Sequence, residues 1–288
     1  MERVGIVVHP TRRVLDAVEV VQTWTADRGL ELVQIRVGRQ PSVAPAGDVG
    51  TCDVIVALGG DGTILKALHA SAGSRAPVLG VAYGSLGALT TVPTGELRSG
   101  LERFVAGDWQ ARELPRLVVR AEKQIVSAIN DVVVARGRGT QLLVDVWVDE
   151  ELYVRLAGDG VVVATALGSS AYTLAARGPL LAEGADAFVC TPLSMHGGSA
   201  PPLVVPGHGE MSLEVHPGHS GYYVDVDGFP VDTDETRFSV RREPAYAKLV
   251  AFGDSHTGLA RLRARGLISD SPRVIGQERL MAETNATR

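Results

Sequence analysis

The segment Val54-Ile55-Val56-Ala57-Leu58-Gly59-Gly60-Asp61-Gly62-Thr63-Ile64-Leu65 constrains this chain more than any other. Five apolar residues form a buried strand, and three glycines then surround a single aspartate before apolar spacing resumes at helical period. Glycine here permits close approach of the backbone and lets successive N–H groups face an anion. A helix beginning at this point adds the positive end of its dipole. The lysine of a phosphate-binding P-loop and the GxGxxG of a dinucleotide fingerprint are both missing. Asp61 is therefore the unusual residue. Beside phosphates a carboxylate is repelled, so either a metal ion bridges it or it takes a proton from an attacking hydroxyl. GGDG alone also fits a glycine-rich turn with the aspartate as a helix cap.

The first ~110 residues alternate strand and helix, the pattern of a parallel sheet covered on both faces. Strands are expected at 4–8, 30–37, 54–58 and 78–81, with helices at 14–28, 63–72 and 96–106. From residue 112 the pattern becomes short and β-branched, at 117–121, 125–135, 141–148, 152–156, 161–164, 211–215 and 222–226. One helical insert is expected at 171–182. This second half reads as a mostly antiparallel β-sandwich. The chain should end with a strand at 248–252, a helix at 257–265 and a frayed tail. The division expected is an α/β domain at 1–111, a β-sandwich at 112–245 and a returning segment at 246–288.

With a formal net charge of −5, the chain offers no basic stripe for nucleic acid or a membrane surface. Its apolar segments are too interrupted to span a bilayer. Cys52 and Cys190 follow no metal or redox spacing and read as reduced, structural thiols, which suits the cytoplasm. No residue is assigned as a metal ligand, and His216 and His219 read as turn histidines. Arg261, Arg263 and Arg265 read as a solvated helix face.

A second segment, Gly158-Asp159-Gly160 followed by Val161-Val162-Val163-Ala164-Thr165-Ala166-Leu167-Gly168-Ser169-Ser170-Ala171-Tyr172, joins a strand to a helix through small and hydroxylated residues. A helix entry needs one cap; this surface has enough donors and acceptors for a purine edge and a ribose.

Together with Asn130-Asp131, the two segments resemble the NAD kinase family, whose marks are a GGDGT loop, an Asn-Glu pair and GDG…TPTGSTAY. The resemblance runs from Val4 to Gly228. GGDGT is shared with lipid kinases of the diacylglycerol and sphingosine type, so the later segment gives the match its specificity. The resemblance implies a Rossmann-like N-terminal domain with a β-sandwich C-terminal domain. It also implies transfer of the terminal phosphoryl of ATP, or of polyphosphate, to the 2′-hydroxyl of the adenosine ribose of NAD, with Mg²⁺ or another divalent cation. Asp61 would orient or deprotonate that hydroxyl, and Gly59, Gly60, Gly62 and Thr63 would cradle the donor phosphates. Asn130 would meet adenine or its ribose and Asp131 a ribose hydroxyl. Asp159 would lie near the nicotinamide half, and Thr165, Ser170, Ala171, Tyr172 and Asp227 would belong to the dinucleotide pocket. A homodimer or homotetramer is implied.

Departures from the family pattern cluster around the acceptor. Asp131 replaces Glu, Ala166-Leu167 replaces Pro-Thr, Ala88 stands where Phe is usual, and Ala175 where Ser is common. Two alternatives stay open at the level of sequence. One is the same chemistry on another nucleotide, nucleoside or lipid; the other is a catalytically weak NAD-binding regulatory protein.

Overall fold

The computed structural model describes residues 1–11, 14–84, 87–139, 141–219, 221–253, 258–275 and 277. Ser85, Leu86, Thr257 and most of the expected tail lie outside the described residues. In the first half, β1 (Arg3–Val8), α1 (Leu15–Ala26), β2 (Glu31–Gln34), β3 (Val54–Gly59), α2 (Asp61–Ser71), β4 (Val78–Ala82), a short β5 (Val92–Pro93) and α3 (Leu97–Val105) alternate as expected. Parallel pairing runs β2-β1-β3-β4. Val54 to Gly59 are buried without a break, as a central parallel strand covered on both faces requires. One face packs Trp24 and Val21 of α1 with Leu97 and Leu101 of α3; the other packs Ile64, Leu65 and Leu68 of α2.

The second half contains β6 (Gln110–Arg120), β7 (Ile125–Ala128), β8 (Asp131–Arg136), β9 (Leu142–Val148), β10 (Glu151–Gly158) and β11 (Gly160–Thr165). A four-residue helix α4 (Tyr172–Ala175) follows, then β12 (Ala187–Leu193), β13 (Leu203–Pro206), β14 (Glu210–His216), β15 (Tyr222–Val226), β16 (Phe229–Val231), β17 (Arg237–Ala251) and α5 (Gly258–Ala264). Among the described residues these strands form two facing layers. One layer runs β13-β12-β11-β8-β15-β16. The other contains β10-β9-β14-β17, with β6 and β7 attached, and continues through β4 into the parallel sheet of the first half. Phe188, Val161 and Val163 from one layer meet Leu213, Val144 and Phe238 from the other in a single apolar core.

The expected fold class is therefore observed, and β17 ties its two parts together. Its first half pairs with β14, it pairs with β6 throughout, and Leu249 lies beside Val78 of β4. The register with β6 shifts between Glu243 and Ala247, where Pro244 removes a ladder donor and Ala245 takes φ of 56°.

Three local expectations change. The insert at 171–182 shrinks to a 3-10 turn, Gly168–Ser170, followed by α4, because Arg177 adopts φ of 62° and Gly178 and Pro179 follow it. The expected strand at 125–135 is divided into β7 and β8 at Ile129-Asn130, whose N–H groups bond a side chain instead of a ladder. β12, β13, β16 and the first half of β17 were not expected as strands. β16 is very short, and β13 and β17 carry a proline that blurs the alternating pattern.

Candidate active site

α2 begins at Asp61 itself, with Gly60 as its N-cap, so the aspartate stands at the C-terminal end of β3 and in the first turn of the helix. Both carboxylate oxygens are held: Oδ2 accepts the N–H of Ala88 at 2.9 Å and Oδ1 the N–H of Leu89 at 3.0 Å. Those donors fix where the carboxylate points. Gly87 leaves the room for it, since a Cβ there would overlap the Asp61 carboxyl group.

The glycines divide by role. A Cβ at Gly59 would overlap the side chain of Thr63, so Gly59 is there for packing. Thr63 is buried and turned toward it. A Cβ at Gly60 or Gly62 would meet open space. Those two positions expose main chain at the mouth of the turn, as a loop that receives a ligand must.

The second cluster is built on Asp227, whose carboxylate is almost wholly buried. Its Oδ1 accepts the N–H of Asn130 at 2.7 Å and of Asp131 at 3.2 Å, and its Oδ2 the N–H of Ile129 at 2.9 Å. The same Oδ2 lies 2.6 Å from Nε2 of His69 on α2, and Nδ1 of that ring is 3.3 Å from the Tyr246 hydroxyl. Asp227 takes φ of 53° in the tight turn to Gly228. Asp227 thus sits behind Asn130 and Asp131 and links them to the helix that carries Asp61.

Asp131 is buried, and burial pushes its carboxyl up to about 6; the neighbouring Asp227 charge adds to this, and the backbone N–H of Tyr172 opposes it. Thr165 is fully buried: its hydroxyl donates to Ile129 O at 2.7 Å and accepts from Gly168 N at 3.1 Å, and its N–H bonds Asn130 O. A Cβ at Gly168 would overlap the Asn130 carbonyl. The Thr165–Gly168 turn is therefore clamped against Asn130. Ser170 donates to Leu167 O at 3.0 Å, and Ala171 carries the chain into α4, where Tyr172 is 45% exposed.

Asp159 lies away from this clamp. Its carboxylate receives Arg136 Nε at 2.5 Å, and that bond, with a second from Ser194, holds it below the usual carboxylate range. Asp159, Arg136, Tyr172 and Tyr223 line an open depression of about 440 Å³. Tyr172 thus bridges the Asp131 cluster and the Asp159 surface.

Two features escaped sequence reasoning. His69 looks like one more helix residue until the fold brings it to Asp227, 158 positions away. Arg261, expected on a solvated face, is half-buried and donates to Ala88 O at 3.0 Å. The Arg-Leu-Arg-Ala-Arg alternation carried no signal of this, because burial of Arg261 depends on what α5 packs against.

Comparison with known proteins identifies the family. The family models for the ATP-NAD kinase N-terminal domain and the ATP-NAD kinase C-terminal domain match residues 42–109 and 129–250. The chain is 34% identical over 242 residues to an NAD kinase of Heliobacterium modesticaldum, covering 80% of this chain and 86% of that protein. It is 36% identical to an NAD kinase of Symbiobacterium thermophilum, covering 75% and 79%. Among solved structures, an NAD kinase from Archaeoglobus fulgidus in complex with ATP superposes with a TM-score of 0.72 at 25% identity, over 92% of this chain and 96% of that one. Yeast NADH kinase complexed with NADH shares the fold at a TM-score of 0.77 and 22% identity, over 94% and 89%. Matched over both halves by the family models and by relatives more than 30% identical over most of its length, the chain belongs to the NAD kinase family.

Proposed function

We infer that the protein is an ATP-dependent NAD kinase, transferring the terminal phosphoryl of ATP to the 2′-hydroxyl of the adenosine ribose of NAD to give NADP and ADP. The observation that carries the site assignment is Asp61, held by two backbone N–H groups beside the exposed main chain of Gly60 and Gly62. In the transfer, the 2′-oxygen forms a bond to the γ-phosphorus as the bond from that phosphorus to the β,γ-bridging oxygen breaks. The hydroxyl proton passes to Asp61, and ADP leaves. Most of the rate enhancement in such a reaction comes from positioning and charge neutralisation.

Gly60 and Gly62 offer N–H groups to the donor phosphates, while Gly59 and Thr63 support that turn from behind. Asn130 and Asp131 hold the adenosine of NAD, with Asp227 and Thr165 fixing the main chain that carries them. Ser170, Ala171 and Tyr172 line the dinucleotide pocket, and Asp159 faces its nicotinamide half. The functional division runs at residues 111 and 245: 1–111 holds the phosphate loop, 112–245 forms the dinucleotide pocket, and 246–288 returns toward the first part.

Among the described residues no group of three or more His, Cys, Asp or Glu side chains could hold a metal on its own. A Mg²⁺ ion would therefore be held chiefly by the donor's own phosphate oxygens, leaving the Asp61 carboxylate to take the proton. It would supply neutralisation of phosphate charge. Polyphosphate would serve as a second donor on the same phosphate seat. A homodimer or homotetramer would close the open side of the depression at Asp159, a reading supported by the exposed Tyr172 and Tyr223. The two cysteines, free and buried, suit the cytoplasm.

The test is an assay of purified protein with Mg-ATP against NAD, NADH, nucleosides and a diacylglycerol. NADP formation, lost by at least about two orders of magnitude in Asp61→Asn with NAD still bound, supports the assignment. Phosphorylation of another acceptor with no NADP, or near-normal turnover in Asp61→Asn, overturns it.

A further inference from the structure

The segment 87–91 carries both hydrogen bonds to Asp61 and is itself fixed at several points. The Thr90 hydroxyl accepts the N–H of Gly87 at 3.1 Å and closes the turn. The Thr91 hydroxyl accepts the N–H of Gly80 on β4 at 3.2 Å and donates to Val250 O on β17 at 2.8 Å. The Ala88–Leu89 peptide group has a different pair of partners. Its N–H, on Leu89, donates to Asp61 Oδ1 at 3.0 Å, and its carbonyl, on Ala88, accepts Nη1 of Arg261 at 3.0 Å. One planar amide therefore stands between the guanidinium of α5 and the carboxylate of α2.

That order has an electrostatic consequence. A cation on the carbonyl oxygen draws electron density through the amide and strengthens its N–H as a donor, the mutual polarisation of a hydrogen-bonded chain. A guanidinium keeps its charge throughout the pH range of a folded protein, so the polarisation is permanent. It also fixes the plane of the amide, and with it the direction from which Leu89 N–H meets the carboxylate. Each Asp61 oxygen accepts one N–H and has a second lone-pair direction with which to meet a hydroxyl.

An acidic side chain brings α5 to this place. Glu183 Oε1 pairs with Arg112 Nε of β6 at 2.5 Å, and α5 starts so close to the same carboxyl group that a Cβ at Gly258 would overlap it. Burial lowers the pKa of Arg261, and the charges of Glu183 and then of Asp61 oppose that shift. Burial also lowers Arg112, with Glu183 again opposing and the Arg261 charge adding to the loss. Two guanidinium groups beside one glutamate are costly, and Asp61 is the second anion that offsets them. Arg263 and Arg265, further along, are exposed, and Arg263 pairs with Asp270.

We propose that Arg261 is a positioning residue for the transfer: through the Ala88–Leu89 amide it sets the direction and strength of the hydrogen bond that aims Asp61 at the acceptor hydroxyl. It acts on the base through one peptide group and not on either substrate. The proposal rests on Asp61 as the base assigned above, and adds the element that aims it. The returning C-terminal segment thereby becomes part of the active centre.

The test compares variants of the full chain. Arg261→Met removes charge and donor while keeping much of the bulk, Arg261→Lys keeps a cation that can reach one carbonyl, and Arg263→Met is a control on the same helix. Circular dichroism and melting establish that each is folded. With Mg-ATP and NAD, kcat of Arg261→Met should fall about tenfold or more while KM for each substrate stays within about twofold. Because the contact uses a single nitrogen, Arg261→Lys should recover kcat to within about threefold of wild type. Arg263→Met should keep kcat within about twofold. In Asp61→Asn, which has no base to aim, adding Arg261→Met should change the residual rate by less than about twofold. Should Arg261→Met fail to fold, Arg261→Gln, which donates without charge, replaces it and should lose more than the lysine variant. Wild-type kcat in folded Arg261→Met overturns the proposal, as does a raised KM for Mg-ATP with kcat unchanged. So does a lysine variant no better than the uncharged one, or an equal loss in the Asp61→Asn background. Near-normal turnover in Asp61→Asn overturns the base assignment and this inference with it. An inactive Asp61→Asn beside full kcat in Arg261→Met keeps the base and overturns the role of Arg261 alone.

Discussion

His69 Nε2 lies 2.6 Å from Asp227 Oδ2, joining the helix that starts at Asp61 to the turn that fixes Asn130 and Asp131. The carboxylate is almost wholly buried and the ring about three-quarters so. Because three backbone N–H groups converge on Asp227, its removal would orphan all of them at once. Asp227→Ala should cost on the order of 3 kcal/mol and lower NAD affinity with it. Asp227→Asn should cost less, because an amide oxygen still accepts and Asn tolerates the positive φ. Chemical denaturation of the two variants checks this; equal losses would mean that the N–H cluster contributes little.

Asp131 gives the fold a pH dependence. Its ordinary value of 3.8 is raised by burial, and by Asp227, to about 6. Between those values the native state binds more protons than the unfolded chain, so this carboxyl's contribution to stability falls as pH rises through the window. Asp131→Asn removes the cost of the buried anion. At pH 8 it should stabilise by up to about 3 kcal/mol, and near pH 4 the advantage should be almost gone. Melting curves at the two pH values decide; an equal gain at both would point to another cause.

The glycines should separate by position. Gly168→Ala places a methyl group onto the Asn130 carbonyl and should destabilise by about 3 kcal/mol or more. Gly62→Ala meets no atom and lies in α2, so stability should hold or rise by up to about 1 kcal/mol. With the donor phosphates on this turn, as proposed, the added methyl would crowd them, so KM for ATP should rise while the melting temperature does not fall. A Gly62→Ala variant with wild-type KM would remove that turn from the donor's path.

Cys190 is fully buried and Cys52 nearly so, and burial pushes their thiols up to about 12 and about 11. Neither should react with a thiol reagent at pH 8 in the native protein, and both should react in denaturant. Rapid labelling of one equivalent without denaturant would show that its strand opens locally.

Much of the frame was legible because it rests on local rules. Apolar run, glycine turn and helical spacing follow each other within residues 54–71, so the place of Asp61 on the β3–α2 turn could be read directly. The clamp was legible only as a motif. Thr165 and Gly168 stood out, but the sequence did not say that one is spent inside the fold and the other clears room for a carbonyl.

What the sequence by itself determined was the order of the two halves, the loop that carries the acid, and the family. These depend on short-range periodicity and on residue types that few other chemistries need. The tertiary structure alone decided the His69–Asp227 contact, the half-burial of Arg261 and the packing that brings Ala88 beside α5. Each of these joins residues far apart in the chain. Long-range packing sets whether a charged side chain meets water or protein, and no local pattern records that choice.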